Sequence, residues 1–202
     1  QRTRGEPVHA CMSLCALATE ANRLQLVPLQ LELTARAIKI KPDDAWSWCQ
    51  HGEALIETQQ FAEALNAFSQ AHAYGKHLQA SSGKGKTLKA MGRLDEALAA
   101  YESVSAQHPE DVFAKTGRAE VLKAMGRLEE ALAAYESVSA QHPENVVAKT
   151  GRASVFAALG RWEEALAGTP VRSPLTLQDW IAYHVRGMVF LRRGETDEAI
   201  RV

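Results

Sequence analysis

The stretch MGRLDEALAAY at Met91–Tyr101 occurs again, with one change, as MGRLEEALAAY at Met125–Tyr135, 34 residues later. The two copies stay in step beyond these stretches, since residues 108–110 and 142–144 both read HPE. A fixed period of this length is typical of stacked helical hairpins. Because such hairpins offer an extended surface for contact with other molecules, the repeat predicts a binding protein.

The residues within one period have the pattern of two helices joined by a turn. An apolar stripe at helical spacing marks the second helix, and it consists of Leu94, Ala97, Leu98, Tyr101 and Val104. A glycine is expected to end each first helix in a left-handed conformation, at Gly92, Gly126, Gly160 and Gly194. Proline then ends the second helix at Pro109 and Pro143. Since one hairpin cannot bury its apolar face alone, neighbouring hairpins must stack.

This block resembles the tetratricopeptide repeat, a family of 34-residue helix–turn–helix units. The small and aromatic residues that carry the resemblance are Gly85, Ala97 and Tyr101 in one copy, and Ala119, Ala131 and Tyr135 in the next. An earlier copy has Trp48, Gly52, Ala64 and Phe68, and a later one starts at Tyr183 with Gly187 and Phe190. The resemblance covers roughly residues 30–202. It implies an all-α fold, a right-handed α-solenoid of stacked hairpins.

The predicted organisation is a divergent N-terminal hairpin at 1–44 and a repeat array at 45–202. The hairpin has one helix from Val8 to Leu24 and another from Pro28 to Ile40. The array divides at about 45–77, 78–111, 112–145, 146–179 and a truncated 180–202. In the fourth repeat the predicted second helix starts at Trp162 and is interrupted by Gly168, Thr169 and Pro170. This interruption predicts either a decayed repeat or a looser docking spot. Since the chain lacks an initial Met and stops at Val202, within a predicted second helix, we expect a piece of a longer protein.

Composition argues against several classes of function. The net charge of −1 gives no electrostatic reason to expect nucleic acid or an anionic membrane as partner. No apolar run approaches the roughly 18 residues of a membrane span. Three cysteines, an odd number without framework spacing, favour a reducing compartment, and we therefore predict a cytoplasmic location.

Two motifs resemble chemical sites. Gly85-Lys86-Thr87 is similar to the end of a phosphate-binding loop, but it lies on a predicted first helix, whose backbone N–H groups are already bonded. Cys11 and Cys15 lie one helical turn apart with His9 nearby, and these three can begin a zinc site. The spacing places no fourth ligand, however, and core packing is the favoured interpretation. We find no catalytic constellation, and we predict neither an enzyme, nor a cofactor, nor a metal.

The resemblance also implies where a partner binds. In the family, inward-facing residues of each first helix line a concave groove. Carried onto this chain, the predicted groove residues are Trp46, Cys49, Glu53, Glu57, Gln79, Ser82, Lys86, Lys89, Phe113, Thr116, Glu120, Lys123, Val147, Thr150, His184, Met188 and Arg192. The predicted groove has glutamates at one end, lysines in the middle and apolar residues beyond them. This pattern predicts a peptide ligand with an acidic stretch beside an apolar one.

The two near-identical copies differ in ways that favour this groove. Six aligned pairs differ, namely Asp95/Glu129, Asp111/Asn145, Phe113/Val147, Glu120/Ser154, Leu122/Phe156 and Lys123/Ala157. Three of these pairs lie at predicted groove positions, whereas about one would be expected there if the six differences were distributed at random over the repeat. Family members that hold chaperone tails use a Lys–Asn carboxylate clamp, where this chain has Cys49 and Glu53. That specificity is not expected here.

Three functional hypotheses follow. The first is a non-catalytic scaffold for protein–protein interaction, which binds a peptide or partner protein in the groove. The alternative is a regulatory or substrate-recruiting segment of a larger enzyme whose catalytic domain lies outside this sequence. Self-association through the repeat ends is the third.

Overall fold

The chain is helical throughout the part that the computed structural model describes, which is residues 6–75, 77–167, 187, 188, 190, 191 and 194. These residues contain ten α-helices and no strand, in two units divided between Pro109 and Glu110. The first unit holds α1 (Glu6–Arg23), α2 (Val27–Ile40), α3 (Ala45–Glu57), α4 (Phe61–Ala73), α5 (His77–Ala90) and α6 (Leu94–Gln107). The second holds α7 (Val112–Ala124), α8 (Leu128–Gln141), α9 (Val146–Ala158) and α10 (Trp162–Ala167).

Helices that follow one another in the chain pack together within each unit. In the first unit each helix from α1 to α5 packs on the helix that follows it. The first helices of neighbouring hairpins also contact each other, α1 with α3 and α3 with α5. In the second unit α7, α8, α9 and α10 pack in sequence, and α7 contacts α9. The predicted all-α fold of stacked hairpins is therefore confirmed, and the first helices lie side by side within each unit.

Side-chain caps begin the first helices of three repeats. The carboxylate of Asp44 accepts a hydrogen bond from the Ser47 N–H, that of Asp111 from Ala114 N–H, and the amide oxygen of Asn145 from Ala148 N–H. Each cap satisfies a backbone donor that the first turn leaves without a partner. The difference between Asp111 and Asn145 therefore preserves capping.

Left-handed residues end the first helices. The predicted glycines have φ values of 75° at Gly92, 76° at Gly126, 75° at Gly160 and 78° at Gly194. Three further residues have positive φ that the sequence pattern did not predict. They are Gly75 with φ 101°, and Gln25 with φ 57° and Gln59 with φ 61°, which are neither glycine nor asparagine. Gln59 occupies the turn between α3 and α4, where the other full repeats have glycine.

Buried aromatic rings fill the space between the hairpins. Phe68 on α4 is wedged between two glycines, since a Cβ added at Gly52 would lie 2.8 Å from its Cζ and one added at Gly83 would lie 2.3 Å from its Cε1. Tyr135 on α8 packs in the same manner against Gly151 on α9, at 2.4 Å. The second-helix aromatic thus requires small residues on the first helix of the following hairpin.

The N-terminal hairpin and the fourth repeat were predicted from weaker patterns. The helices expected at Val8–Leu24 and from Pro28 to Ile40 are observed at Glu6–Arg23 and Val27–Ile40. The second helix of the fourth repeat is described from Trp162 to Ala167. Its predicted interruption at 168–170 and the helices expected beyond it lie outside the described residues.

Candidate functional site

In the first unit, the predicted groove residues of α3 and α5 meet through an ion pair. The Lys86 Nζ lies 2.6 Å from Glu53 Oε2 and 3.9 Å from Glu57 Oε1, so one ammonium bridges two carboxylates of the neighbouring helix. Between a third and just over half of each side chain is exposed, at 44% for Lys86, 37% for Glu53 and 55% for Glu57. The ammonium of Lys86 is therefore engaged within the protein.

The other predicted groove residues of the first unit differ in accessibility. Cys49 is buried, with 7% of its surface exposed. Gln79 is exposed, while Trp46, Ser82 and Lys89 are half-buried. The accessible part of this face is polar and charged, apart from the half-buried Trp46.

In the second unit, the corresponding face of α7 and α9 carries exposed apolar side chains. Phe113 is 80% exposed and Val147 is 50% exposed, at equivalent places in two adjacent repeats. One turn further on, the hydroxyls of Thr116 and Thr150 donate to the carbonyls of Val112 and Val146, at 2.8 Å in both cases. Because these hydroxyls are satisfied within their own helices, the apolar pair is the prominent feature of this face of α7 and α9.

The remaining predicted groove residues on α7 are Glu120 and Lys123, which are both half-buried. The pKa of Tyr135 is raised, mainly because its phenol is buried and to a smaller extent because Glu120 is negatively charged. Glu120 therefore reaches close enough to the buried aromatic of α8 to act on it electrostatically.

The six differences between the copies separate into interior and surface changes. Leu122 and Phe156 are both buried, and Asp111 and Asn145 both cap. Phe113 and Val147 are both exposed. Of the three groove differences, this pair alone changes the size of a strongly exposed side chain while keeping it apolar.

The last group of predicted groove residues is only partly described. Met188 is 43% exposed, whereas His184 and Arg192 lie outside the described residues.

The motif that resembles the end of a phosphate-binding loop lies inside a helix, as predicted. Gly85-Lys86-Thr87 is part of α5 (His77–Ala90). A Cβ added at Gly85 would meet the Tyr101 ring at 2.9 Å, and the buried Thr87 hydroxyl donates to Gly83 O at 2.8 Å. These residues therefore serve packing between α5 and α6 and the helix itself.

The third ligand-capable group beside Cys11 and Cys15 is a carboxylate, and not His9, which is exposed and lies outside the cluster. The structure brings the Asp44 carboxylate to them, 29 residues along the chain from Cys15, with all three ligand-capable atoms within 4.8 Å of one another. Burial raises the pKa of the Cys15 thiol to about 11. A cavity of about 270 Å³ adjoins the group, lined by Val8, Cys11, Met12, Cys15, Lys41, Asp44 and Trp46. Their separation in sequence explains why spacing alone could not identify the cluster.

Comparisons with known proteins agree with this architecture. Two family models, both described as Tetratricopeptide repeat, match residues 55–121 and 116–168, which together span more than half of the chain. The chain belongs to the tetratricopeptide repeat family. Tetratricopeptide repeat proteins are in general non-enzymatic scaffolds for protein interaction. A search of the curated proteins gave no significant match.

Solved tetratricopeptide repeat structures share the fold at low sequence identity. A thermophilic member from Thermus thermophilus has a TM-score of 0.75 at 17% identity, covering 95% of this chain and 100% of that one. A member from Parabacteroides merdae has a TM-score of 0.69 at 15% identity, covering 96% and 77%. The first repeat domain of Spaghetti (RPAP3), solved with the HSP90 peptide SRMEEVD, has a TM-score of 0.54 at 18% identity, covering 58% and 97%. Likeness at these identities establishes the fold.

Among the described residues, no helix combines the length and the apolar character needed to cross a membrane.

Proposed function

We propose that this protein is a non-catalytic interaction scaffold, which binds a peptide or partner protein on the faces that its first helices form within each unit. The observation that carries the proposal is the 80% exposure of Phe113 on α7, beside the 50% exposed Val147 on α9. A large apolar side chain that stays in water contributes nothing to folding, whereas its burial by a partner is worth about 1.5–3 kcal/mol. Aromatic anchors of this kind are typical hot spots of interfaces.

The chemistry of the faces suggests the chemistry of the ligand. The apolar pair on α7 and α9 fits one or two apolar side chains of an extended or helical peptide. The face of α3 and α5 is charged, but Lys86 is held by Glu53 and Glu57. A ligand carboxylate would have to displace those two, so the proposed acidic stretch of the ligand is a weaker determinant than its apolar anchor.

The peptide bound by Spaghetti is a useful contrast. That domain was solved with the HSP90 peptide SRMEEVD. The carboxylate clamp that the family resemblance implies for chaperone tails needs Lys and then Asn in the first repeat. In this chain the buried Cys49 and Glu53 stand where the clamp has its first Lys and Asn. The carboxylate of Glu53 has the same negative charge as the C-terminus of a peptide. We therefore propose a different ligand class for this chain.

Selection of peptides from a random displayed library tests the proposal. The wild-type protein is expected to enrich peptides with an apolar anchor, and Phe113→Ala should weaken their binding by about tenfold or more, which is 1.4 kcal/mol. Tyr74→Ala is the matched control, because Tyr74 is a 44% exposed aromatic at the C-cap of the second helix α4 and is not among the predicted groove residues. Equal affinity of wild type and Phe113→Ala for every selected peptide would refute this assignment.

A further inference from the structure

The group formed by Cys11, Cys15 and Asp44 lies between α1 and the start of α3, and its adjoining cavity shares Trp46 with the predicted groove residues. The two cysteines are one turn apart on α1, and Asp44 is the N-cap of α3. We propose that these three residues bind a Zn²⁺ ion, with one coordination position left open toward the adjoining cavity. This inference is independent of the proposed function.

The distances are close to those of a zinc site. Three atoms no more than 4.8 Å apart have a central point within roughly 2.8 Å of each, whereas zinc bonds are about 2.3 Å to sulfur and about 2.0–2.2 Å to a carboxylate oxygen. Closing that gap needs movements of less than about 1 Å by each ligand atom. Side-chain adjustment is sufficient, and the helices keep their places.

The Asp44 carboxylate is already oriented by its own hydrogen bonds. Its Oδ2 accepts from the Ser47 backbone N–H at 2.9 Å and from the Ser47 hydroxyl at 2.6 Å, and Ser47 is fully buried. Ligating carboxylates in metal sites are typically held by such outer partners. The cap of α3 thus presents a fixed oxygen ligand to the two sulfur atoms.

The charges around the group nearly cancel when zinc is bound. Each thiol releases its proton to solvent as its sulfur bonds to the metal, so binding of one ion releases two protons. Two thiolates and one carboxylate around Zn²⁺ leave a single negative charge, and Lys41 Nζ lies 3.8 Å from Asp44 Oδ1 to balance it. The weak thiol contacts to Ala37 O and to the Ser47 hydroxyl are replaced by metal bonds.

The cavity supplies the fourth position. Its volume of about 270 Å³ is several times the roughly 30 Å³ that a water molecule occupies, so a water can complete a tetrahedral set. Two sulfur ligands select a thiophilic cation over Mg²⁺ or Ca²⁺, which prefer oxygen. The donor set therefore fits zinc, and cadmium as its spectroscopic probe.

The test is metal titration of the reduced full chain. Cd²⁺ should produce thiolate-to-metal charge-transfer absorption that saturates at one ion per chain, and calorimetry with Zn²⁺ in buffers of different ionisation enthalpy should give two protons released per ion. Cys15→Ser should abolish the absorption of the paired thiolates. Asp44→Asn should weaken zinc binding at least tenfold while keeping the α3 cap, since asparagine caps α9 in the same manner.

Cys49→Ser is the matched control, because Cys49 is a buried cysteine outside the group. It should bind zinc as the wild type does. Failure of the wild type to bind micromolar zinc, equal binding by wild type and Cys15→Ser, or loss of binding in a folded Cys49→Ser protein would each overturn the proposal. The proton count is measured on the wild type, so it remains decisive if a variant fails to fold.

Discussion

Lys86 Nζ and Glu53 Oε2 lie 2.6 Å apart, and this contact joins the first helices of two adjacent repeats. The two residues are 33 positions apart in sequence, almost one repeat period. Their pairing therefore reports directly that equivalent faces of α3 and α5 lie side by side. It also means that a charge expected to attract a ligand is partly neutralised by the neighbouring repeat.

A double-mutant cycle of Glu53→Gln and Lys86→Met should give a small coupling energy. Because both side chains are more than a third exposed, we expect about 0.2–1 kcal/mol, decreasing as salt is added. Urea unfolding of the four proteins at low and high salt measures it. A coupling that is absent at low salt would contradict the pairing of α3 with α5 through these residues.

Replacement of Gly83 by alanine should destabilise the first unit. The added Cβ would lie 2.3 Å from Phe68 Cε1, and the ring cannot retreat because Gly52 confines its other side. Overpacking costs about 1–3 kcal/mol, and the roughly 1 kcal/mol gained in helix propensity offsets only part of it. Denaturant midpoints should therefore fall.

Two further variants make this prediction sharper. Gly85→Ala should be milder, because its nearest ring atom, in Tyr101, is 2.9 Å away. Phe68→Leu should relieve part of the defect when combined with Gly83→Ala, since the flat ring is what the new methyl group meets. Additive effects of the two changes would be inconsistent with the wedge.

The caps of α7 and α9 should be interchangeable. Asp111→Asn and Asn145→Asp should each change stability by only a few tenths of a kcal/mol, whereas Asp111→Ala should cost about 0.5–2 kcal/mol. Thermal unfolding of the three variants distinguishes these outcomes. A large loss in Asp111→Asn would mean that the carboxylate has a role beyond capping.

Acid should weaken the packing of α2 on α3 through His51. Its Nδ1 lies 2.8 Å from the Thr34 hydroxyl, and burial lowers the pKa of the imidazole. The unfolded chain therefore binds the proton more readily, so the contribution to stability is full above about pH 6.5 and is lost as the pH falls from there through the folded pKa.

Urea midpoints measured across that range should show a decline that His51→Gln reduces. Glutamine is neutral at every pH in the range and can still bond to Thr34, so it separates the titration from the hydrogen bond. An unchanged pH profile in His51→Gln would assign the acid sensitivity to other groups.

Much of the fold followed from local patterns in the sequence. The apolar stripe that includes Ala97 and Tyr101, the glycine turns and the prolines together predicted where the helices begin and end. Gln59 was missed because its left-handed conformation is imposed by the surrounding hairpin and has no local signal. The groove assignment remains a prediction, although the exposure of Phe113 and the burial of Cys49 now distinguish its members.

The sequence alone did not predict which residues far apart in the chain contact each other. The approach of Asp44 to Cys15 depends on how the N-terminal hairpin packs on α3, and the bridge from Lys86 to Glu57 depends on the rotation of two helices about their axes. Periodicity fixes which face a residue lies on, but not the partner that it meets across a helix–helix contact.

The central claim is that a partner binds on the face of the first helices α7 and α9, with Phe113 as its apolar anchor. Amide chemical-shift mapping with a selected peptide tests it most directly. We predict that the largest shifts fall on α7 and α9 around Phe113 and Val147. Shifts confined to α8, on the second helix of the hairpin, would contradict the account.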